Sequence, residues 1–250
     1  MPEKKDYSIT PKFGKPLALL LAEKLSTVYP KLDSESYIKA IEEQCEGMTY
    51  TQRVMLHAEI LHKHLPADFN TALNILMQII GPENTRQTDM FTNWYWLLPI
   101  AKYVELYGLA HFEVSMNAIS EITKRSTGEY AIRPFIRKDP GASLKQMNQW
   151  AQSENFHLRR LASEGLRPKL PWASKLDLFI ENPKPVFQIL EQLKEDDVKY
   201  VQKSVANHLT DYLKVNPEPT IHLLKAWKKS DHPNTQWIVK HATRKGDYGI

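Results

Sequence analysis

Two glutamates of this 250-residue chain lie where their carboxylates could do chemistry. Glu164 comes one residue before Gly165, a predicted helix stop, although the carboxyl end of a helix favours cations over carboxylates. Glu129 follows Thr127 and Gly128 at the predicted start of another helix, where the dipole and free backbone N–H groups keep an acid ionised. An ionised carboxylate suits a site that stabilises a cation, so both glutamates are candidates for such a site.

Each acid also has a purely structural interpretation. Glu129 could simply stabilise the first turn of its helix. Glu164 could form an i,i+4 ion pair with Arg160 on a solvated helix face, although such pairs contribute only about 0.3–0.5 kcal/mol. The local sequence leaves both alternatives open for both acids.

A stiff basic turn follows Glu164 and leads to Trp172. Pro168 and Pro171 restrict this turn, and Lys169 adds a positive charge. The polar turn favours a ring presented at the surface, whereas large aromatics are also common core residues. A surface ring would bring cations, one anion and one aromatic together for a ligand.

The positive charge of the chain is concentrated in its second half. The net charge is +4, but residues 1–120 hold 11 lysines and arginines against 14 acids, whereas residues 121–250 hold 22 against 15. The basic half predicts a polyanionic partner.

The apolar residues follow a helical period along the whole chain, and no convincing strand competes. Short breaks rich in Gly, Pro, Asp or Asn separate the segments, as expected for antiparallel neighbours joined by tight turns. We therefore predict one all-α domain over residues 1–250, built from about six to seven helical pairs. The predicted helices span about 15–28, 34–46, 50–64, 68–80, 88–107, 111–125, 129–138, 141–153, 156–164, 174–181, 184–195, 197–213, 217–228 and 234–245.

The second half contains a repeat. Residues 158–166 align without gaps on 201–209, a shift of 43 residues, and 237–244 resemble a looser third copy. Two helices per period of this size are typical of a HEAT-like solenoid, in which one helix of each pair lines a concave face. Because the repeated element is rich in lysine and arginine, that face should be basic.

Several other kinds of site are excluded or disfavoured. The single Cys45 rules out an intramolecular disulfide and a cysteine-based zinc site. His57, His62 and His64 lack the i,i+4 spacing of a helical metal site, so we expect no metal and no cofactor. The sequence has no phosphate-binding glycine loop, no nucleophile elbow, no signal peptide and no membrane span, which favours a cytoplasmic protein.

Four segments together closely resemble the AlkC-type DNA alkylation repair proteins, relatives of the AlkD-like HEAT-repeat DNA glycosylases. They span residues 129–135, 159–172, 205–209 and 237–241, and the Arg-Arg-Leu-Ala-Ser-Glu-Gly run that leads to Pro-Trp is the most specific of them. The resemblance is strongest over about residues 88–245, and the N-terminal helices carry no signature.

The resemblance implies a DNA glycosylase of base excision repair. Its implied substrates are cationic N-alkylated bases in double-stranded DNA, such as 3-methyladenine and, in the AlkC branch, 3-methylcytosine, attacked without base flipping. Family catalytic acids match Glu129 and Glu164, and the family's active-site tryptophan matches Trp172. The implied setting is a monomer in the bacterial cytosol, at the nucleoid.

A basic groove that grips phosphates suits that mode of action. Some AlkC-type proteins carry an immunoglobulin-like domain after the repeats, and we expect none here. The predicted DNA contacts are Arg133, Arg159, Arg160, Arg167, Lys169, Lys203, Asn207, Trp237, Lys240 and Arg244.

Two other functions remain open. A HEAT-repeat protein can keep a basic groove and bind branched or damaged DNA without glycosylase activity. HEAT arrays are also often protein-interaction scaffolds, which would predict apolar residues on the concave face. The presence of both Glu129 and Glu164 favours the enzyme.

Overall fold

The computed structural model describes residues 9–87, 94–171 and 173–250, and within these ranges it contains fourteen α-helices and no strand. The all-α prediction is therefore confirmed. Short 3-10 helices at Thr10–Phe13 and Tyr95–Leu97 accompany the α-helices. The α-helices are α1 Lys15–Val28, α2 Ser34–Gln44, α3 Tyr50–His64, α4 Phe69–Met77, α5 Leu98–Tyr107, α6 Phe112–Thr123, α7 Arg133–Lys138, α8 Pro140–Ala151, α9 Phe156–Glu164, α10 Asp177–Glu181, α11 Lys184–Leu193, α12 Lys199–Val215, α13 Pro217–Trp227 and α14 Pro233–Thr243.

Helix α7 begins four residues later than the sequence predicts. Residues 129–132 form hydrogen-bonded turns instead, with Ile132 N donating to Gly128 O at 3.1 Å. Pro134 then occupies the first turn of α7, where no backbone N–H is needed. The prediction that a helix dipole holds the Glu129 carboxylate is therefore wrong, because Glu129 precedes the helix.

The chain divides into two compact units. The first spans Met1–Glu83 and Asp89–Ser126, and the second spans Asn84–Thr88 and Thr127–Ile250. In the first unit, the imidazole of His57 is buried between Tyr37 Oη, 2.7 Å from Nδ1, and the main chain. His57 is thus a hydrogen-bonded core residue.

The second unit is built on α9 and α12. Helix α9 packs against α8, α11 and α12, and α12 packs in turn against α13 and α14. Three pairs of apolar residues that the sequence repeat aligns, 43 positions apart, are buried in both copies. The buried aligned positions are Leu158 with Val201, Ala162 with Val205, and Leu166 with Leu209.

Gly165 allows close packing at the end of α9. Its backbone is right-handed, so no positive φ requires a glycine. A Cβ atom there would lie 2.8 Å from Met147 Cε and 3.0 Å from Ile132 Cγ2. The glycine therefore lets α8 and the turn after Glu129 approach the last turn of α9, which carries Glu164.

Candidate active site

Five alternating charges form a chain of ion pairs across the second unit, here called the ion chain. Arg160 Nη1 lies 2.5 Å from Glu129 Oε2, and Arg160 Nη2 lies 3.7 Å from Glu164 Oε1. Arg167 Nη1 lies 2.5 Å from that same Glu164 oxygen, and Arg167 Nη2 lies 2.5 Å from Asp211 Oδ2. The two acids singled out in the sequence thus share the guanidinium of Arg160.

Both acids are buried. Glu129 is 4% exposed, Glu164 is 5% exposed, and Arg160 between them is 8% exposed. The predicted alternative of a solvated surface pair between Arg160 and Glu164 is therefore wrong. Buried charges are costly unless paired, so the acids depend on their arginines for a stable fold.

Thr127 fixes the carboxylate of Glu129. Thr127 Oγ1 donates to Glu129 Oε2 at 2.9 Å, and the backbone N–H of Glu129 donates to Thr127 Oγ1 at 3.3 Å. Arg160 Nη1 also donates to Thr127 Oγ1, at 3.1 Å. A side-chain network therefore takes the place of the predicted helix dipole.

Opposing effects act on the pKa of Glu164, and the charged form is favoured. Burial raises the pKa of this carboxyl, but the positive charges of Arg160 and Arg167 and hydrogen bonds from Ser204 and Arg167 lower it more. The net result is a pKa well below the ordinary value. Glu164 is thus an ionised carboxylate at neutral pH.

Arg133, a predicted DNA contact, has a structural role in the fold, and its role in DNA binding stays a prediction. The side chain is 1% exposed. Its guanidinium donates to three main-chain carbonyls, those of Gly165 at 3.2 Å, Arg167 at 2.9 Å and Ser174 at 2.5 Å. These bonds tie α7 to the turn that follows α9.

Three further arginines predicted to contact DNA are also committed within the protein. Arg159 donates to Asp196 through Nε at 2.6 Å and to the carbonyls of Ser153 and Glu154 through Nη1. Arg160 and Arg167 belong to the ion chain, and their side chains are 10% and 14% exposed. Each guanidinium therefore already has partners within the protein, and the role of these three arginines in DNA binding stays a prediction.

The predicted contacts on α12 and α14 lie closer to solvent. Lys203, Lys240 and Arg244 are exposed, as is Lys169 in the turn after α9, whereas Asn207 and Trp237 are half-buried. Arg244 Nη2 donates to Asn207 Oδ1 at 3.1 Å, which joins α12 to the end of α14. The role of these six residues in DNA binding stays a prediction.

Four exposed cations, on α12 and just after α14, lie near the imidazole of His241. Burial lowers the pKa of His241, and the positive charges of Arg244, Lys203, Lys199 and Lys245 lower it further. We call Lys199, Lys203, Arg244 and Lys245 the basic cluster. The ring of Trp237 lies within it, 3.6 Å from Lys199 Nζ and stacked on His241 at 4.6 Å.

Trp172, the aromatic residue predicted for the site, lies outside the described residues. A different ring, that of Tyr200 on α12, faces the guanidinium of Arg160 at 5.2 Å.

A polar stripe on α12 faces the ion chain, and sequence reasoning missed it. Its members are Tyr200, Ser204, His208 and Asp211, whose spacing of four, four and three places them along one side of the helix. A signal existed in the repeat: Ser204 aligns with Leu161 and His208 with Gly165. Polar residues at apolar repeat positions indicate a specialised surface.

Over the described ranges, no three His, Cys, Asp or Glu side chains are grouped so as to hold a metal ion. No helix of the described part is long and apolar enough to span a bilayer.

The arrangement can stabilise a cation that develops beside it. Two carboxylates are fixed in advance by arginines and hydroxyls, so they need not reorganise as charge forms. A low-dielectric setting strengthens such an interaction.

Comparison with known proteins matches the stretch that contains the ion chain to a protein family. Residues 126–245 match the model of the family described as DNA alkylation repair enzyme. The Bacillus subtilis (strain 168) protein YhaZ, described as uncharacterized, is 35% identical over 240 residues, which cover 94% of this chain and 64% of YhaZ.

Solved structures give a similar result. The alkylpurine DNA glycosylase AlkC of Pseudomonas fluorescens, bound to DNA containing an abasic site analog, has a TM-score of 0.85 and 34% identity over 95% of this chain. AlkD2 from Streptococcus mutans has a TM-score of 0.50 at 22% identity, covering 93% of this chain and 99% of its own, a likeness of fold alone.

This chain spans 64% of the length of YhaZ and 64% of the AlkC chain. The family match begins one residue before Thr127 and ends at Lys245, so it includes the whole ion chain and the whole basic cluster. Residues 126–245 of this chain are therefore similar to the DNA alkylation repair enzyme family.

Proposed function

We propose that this chain is a DNA glycosylase that hydrolyses the N-glycosidic bond of cationic N-alkylated bases in duplex DNA. Its proposed substrates are 3-methyladenine and, second, 3-methylcytosine. One observation carries the proposal: Glu129 and Glu164 both pair with Arg160 inside the stretch that matches the repair family. The likeness to AlkC, which is bound to abasic-site DNA, supports the same substrate class.

The chemistry suits such a site because an alkylated base is already positive and leaves easily. Little acid catalysis is required, and the remaining tasks are to stabilise an oxocarbenium-like sugar and to place a water molecule on it. Glu164, ionised at neutral pH, supplies negative charge for the sugar, and Glu129 is the second carboxylate of the proposed pair. Trp172 is proposed to face the cation with its π system, worth about 0.5–2 kcal/mol.

The arginines of the ion chain hold the acids in place. Arg160 and Arg167 orient Glu164 from two directions, and Arg160 also fixes Glu129. Carboxylates held this way favour charge that appears only in the transition state, which raises the rate of the chemical step.

DNA is proposed to lie along the exposed cations of α12 and α14. The basic cluster, with Trp237, Lys240 and Asn207, offers positive charge and hydrogen-bond donors to phosphates. Binding to the backbone of a bent duplex would let the acids act at the sugar while the base stays in the helix, so no base flipping is proposed.

The test is release of bases from methylated duplex DNA. With protein in excess, 3-methyladenine should appear in the soluble fraction by chromatography, and uncharged alkylated bases should stay in the polymer. No release of any cationic base would contradict the proposal.

One observation favours a second candidate, a non-catalytic protein that binds branched or damaged DNA. Both acids are nearly closed to solvent and already paired with cations, as in a purely structural network. Tight binding to branched duplexes without base release would establish this alternative.

A further inference from the structure

Buried side chains hold the second carboxylate oxygen of Glu164. Ser204 Oγ donates to Glu164 Oε2 at 2.6 Å and lies 3.0 Å from Ser163 Oγ. Ser163 Oγ lies 3.4 Å from Nδ1 of His208. The two serines and the histidine are 0–3% exposed. We infer that Ser204 is a positioning residue for Glu164, held in place by the buried Ser163 and, behind it, His208; the role rests on the proposed function.

The hydroxyl of Ser204 is the donor in both of its contacts. An ionised carboxylate only accepts hydrogen bonds, so Ser204 Oγ donates to Glu164 Oε2. The same hydroxyl is the donor to Ser163 Oγ at 3.0 Å, so its single proton is shared between the two acceptors. The contact to the carboxylate is the shorter, at 2.6 Å, as expected for a hydrogen bond to a charged acceptor.

His208 is the neutral polar group behind Ser163. Burial and the nearby positive charge of Arg167 lower the pKa of His208 to about 3, so the ring is neutral at pH 7 and carries one N–H. Nδ1 lies beside Ser163 Oγ, whereas Nε2 has no hydrogen-bond partner among the described residues. The unpaired Nε2 is the remaining cost of the arrangement.

Core packing gives no reason for these residues. At the aligned positions of the repeat, α9 has Leu161 and Gly165 where α12 has Ser204 and His208. Burying a polar group stabilises nothing by itself, since its net contribution depends on the partner it finds. Ser204 finds its partner in Glu164, which explains why this position of the repeat is polar in α12.

Several charged groups around Glu164 influence the pKa of its carboxyl. Arg160 and Arg167 pair with it directly. The other titratable groups of the surrounding elements are Glu129 before α7, Arg133 on α7, and His208 and Asp211 on α12. Ser204 is the neutral donor among them, so its removal changes a hydrogen bond to Glu164 and no charge.

The decisive variant is Ser204→Ala. Loss of a hydrogen bond to a charged group should lower the single-turnover rate of base release about ten- to hundredfold. Affinity for duplex DNA should stay within about threefold, because Ser204 is buried. The pKa of Glu164 should rise, because the charged form loses a donor, and the acid limb of the pH–rate profile should move to higher pH.

Ser143→Ala is the matched control. Ser143 is another fully buried serine of the second unit, and its Oγ has no hydrogen-bond partner within the described ranges. This control should keep the wild-type rate and pH profile. Because His208 and Ser163 reach the carboxylate oxygen Oε2 only through Ser204, the pair Ser204→Ala and His208→Phe should be no slower than Ser204→Ala alone. An additive pair, or a Ser204→Ala profile identical to wild type, would overturn the inference.

A carbon-13 NMR titration of the Glu164 side-chain carboxyl, assigned by its loss in Glu164→Gln, separates the two proposals. It needs no activity. If the wild type releases no base, the proposed function fails, whereas an unchanged Glu164 titration in Ser204→Ala refutes the coupling itself.

Discussion

The guanidinium of Arg160 lies 2.5 Å from the carboxylate of Glu129, an acid that precedes α7, while Arg160 itself is on α9. Helix α9 therefore supplies one candidate acid, Glu164, and the cation that ties down the other. The geometry of the site depends on how the turn at residues 127–132 packs on α9, which Gly165 makes possible.

Replacing Arg160 with alanine should destabilise the fold strongly. Two buried carboxylates would lose their shared partner, which typically costs about 3–5 kcal/mol. Urea denaturation of Arg160→Ala measures the free energy of unfolding. Lys203→Ala is the control, because Lys203 aligns with Arg160 in the repeat but is exposed, and it should change stability by less than about 0.5 kcal/mol. Equal effects of the two substitutions would show that the ion chain contributes little to stability.

Stability should fall as the pH drops below neutral. Burial lowers the pKa of His57 to about 4 and that of His208 to about 3, so the unfolded chain, with histidine pKa values near 6.5, takes up protons first. Each histidine then removes about 1.4 kcal/mol per pH unit below about pH 6.5. Glu164 adds to the loss below about pH 4.5, since its folded pKa is also lowered. Denaturant unfolding at pH 7, 6 and 5 measures the slope, which should be smaller in His208→Phe. A flat profile would mean that these rings are protonated in the folded protein.

The basic cluster should control affinity for DNA through phosphates. Lys203→Ala should weaken binding equally for duplexes of different sequence and reduce the slope of log K against log salt by about 1. Lys225→Ala removes the same charge from the exposed surface of α13 and serves as the control. Fluorescence anisotropy over a range of salt concentrations measures both slopes. A slope equal to that of the wild type would remove Lys203 from the interface.

His241 should make that affinity depend on pH. Burial and four neighbouring cations lower its pKa in the free protein, whereas phosphates beside it would raise the pKa in the complex. DNA binding would then take up a proton, so affinity should increase as the pH falls through the window between the two pKa values. In His241→Asn this dependence should be lost. The same pH dependence in the variant would assign the effect to another group.

The helices were predictable from sequence because apolar period and turn residues act locally. Helix α9 has the predicted limits, 156–164. The start of α7 was not predictable, since the turn at residues 129–132 is held by Thr127 and by an arginine from α9. The contacts of that arginine join residues that are more than thirty positions apart in the sequence, so helix propensity alone cannot predict them.

The roles of the arginines were not predictable for a related reason. Arg160 and Lys203 occupy the same position of the repeat, yet one is 8% exposed and the other lies open to solvent. The difference comes from the partner acids, Glu129 and Glu164, which are only adjacent after folding. Glu164 itself could be picked out, because an acid at the end of a helix is locally unfavourable.

The most direct test of the proposed site is the single-turnover rate of 3-methyladenine release from duplex DNA by Glu129→Gln and Glu164→Gln. Each substitution removes one carboxylate charge and should lower the rate about 100-fold or more, while affinity for an abasic-site duplex changes by less than about threefold. Glu218→Gln, on the exposed surface of α13, should behave as wild type. Full activity in both Glu129→Gln and Glu164→Gln would contradict the assignment of the ion chain as the catalytic centre.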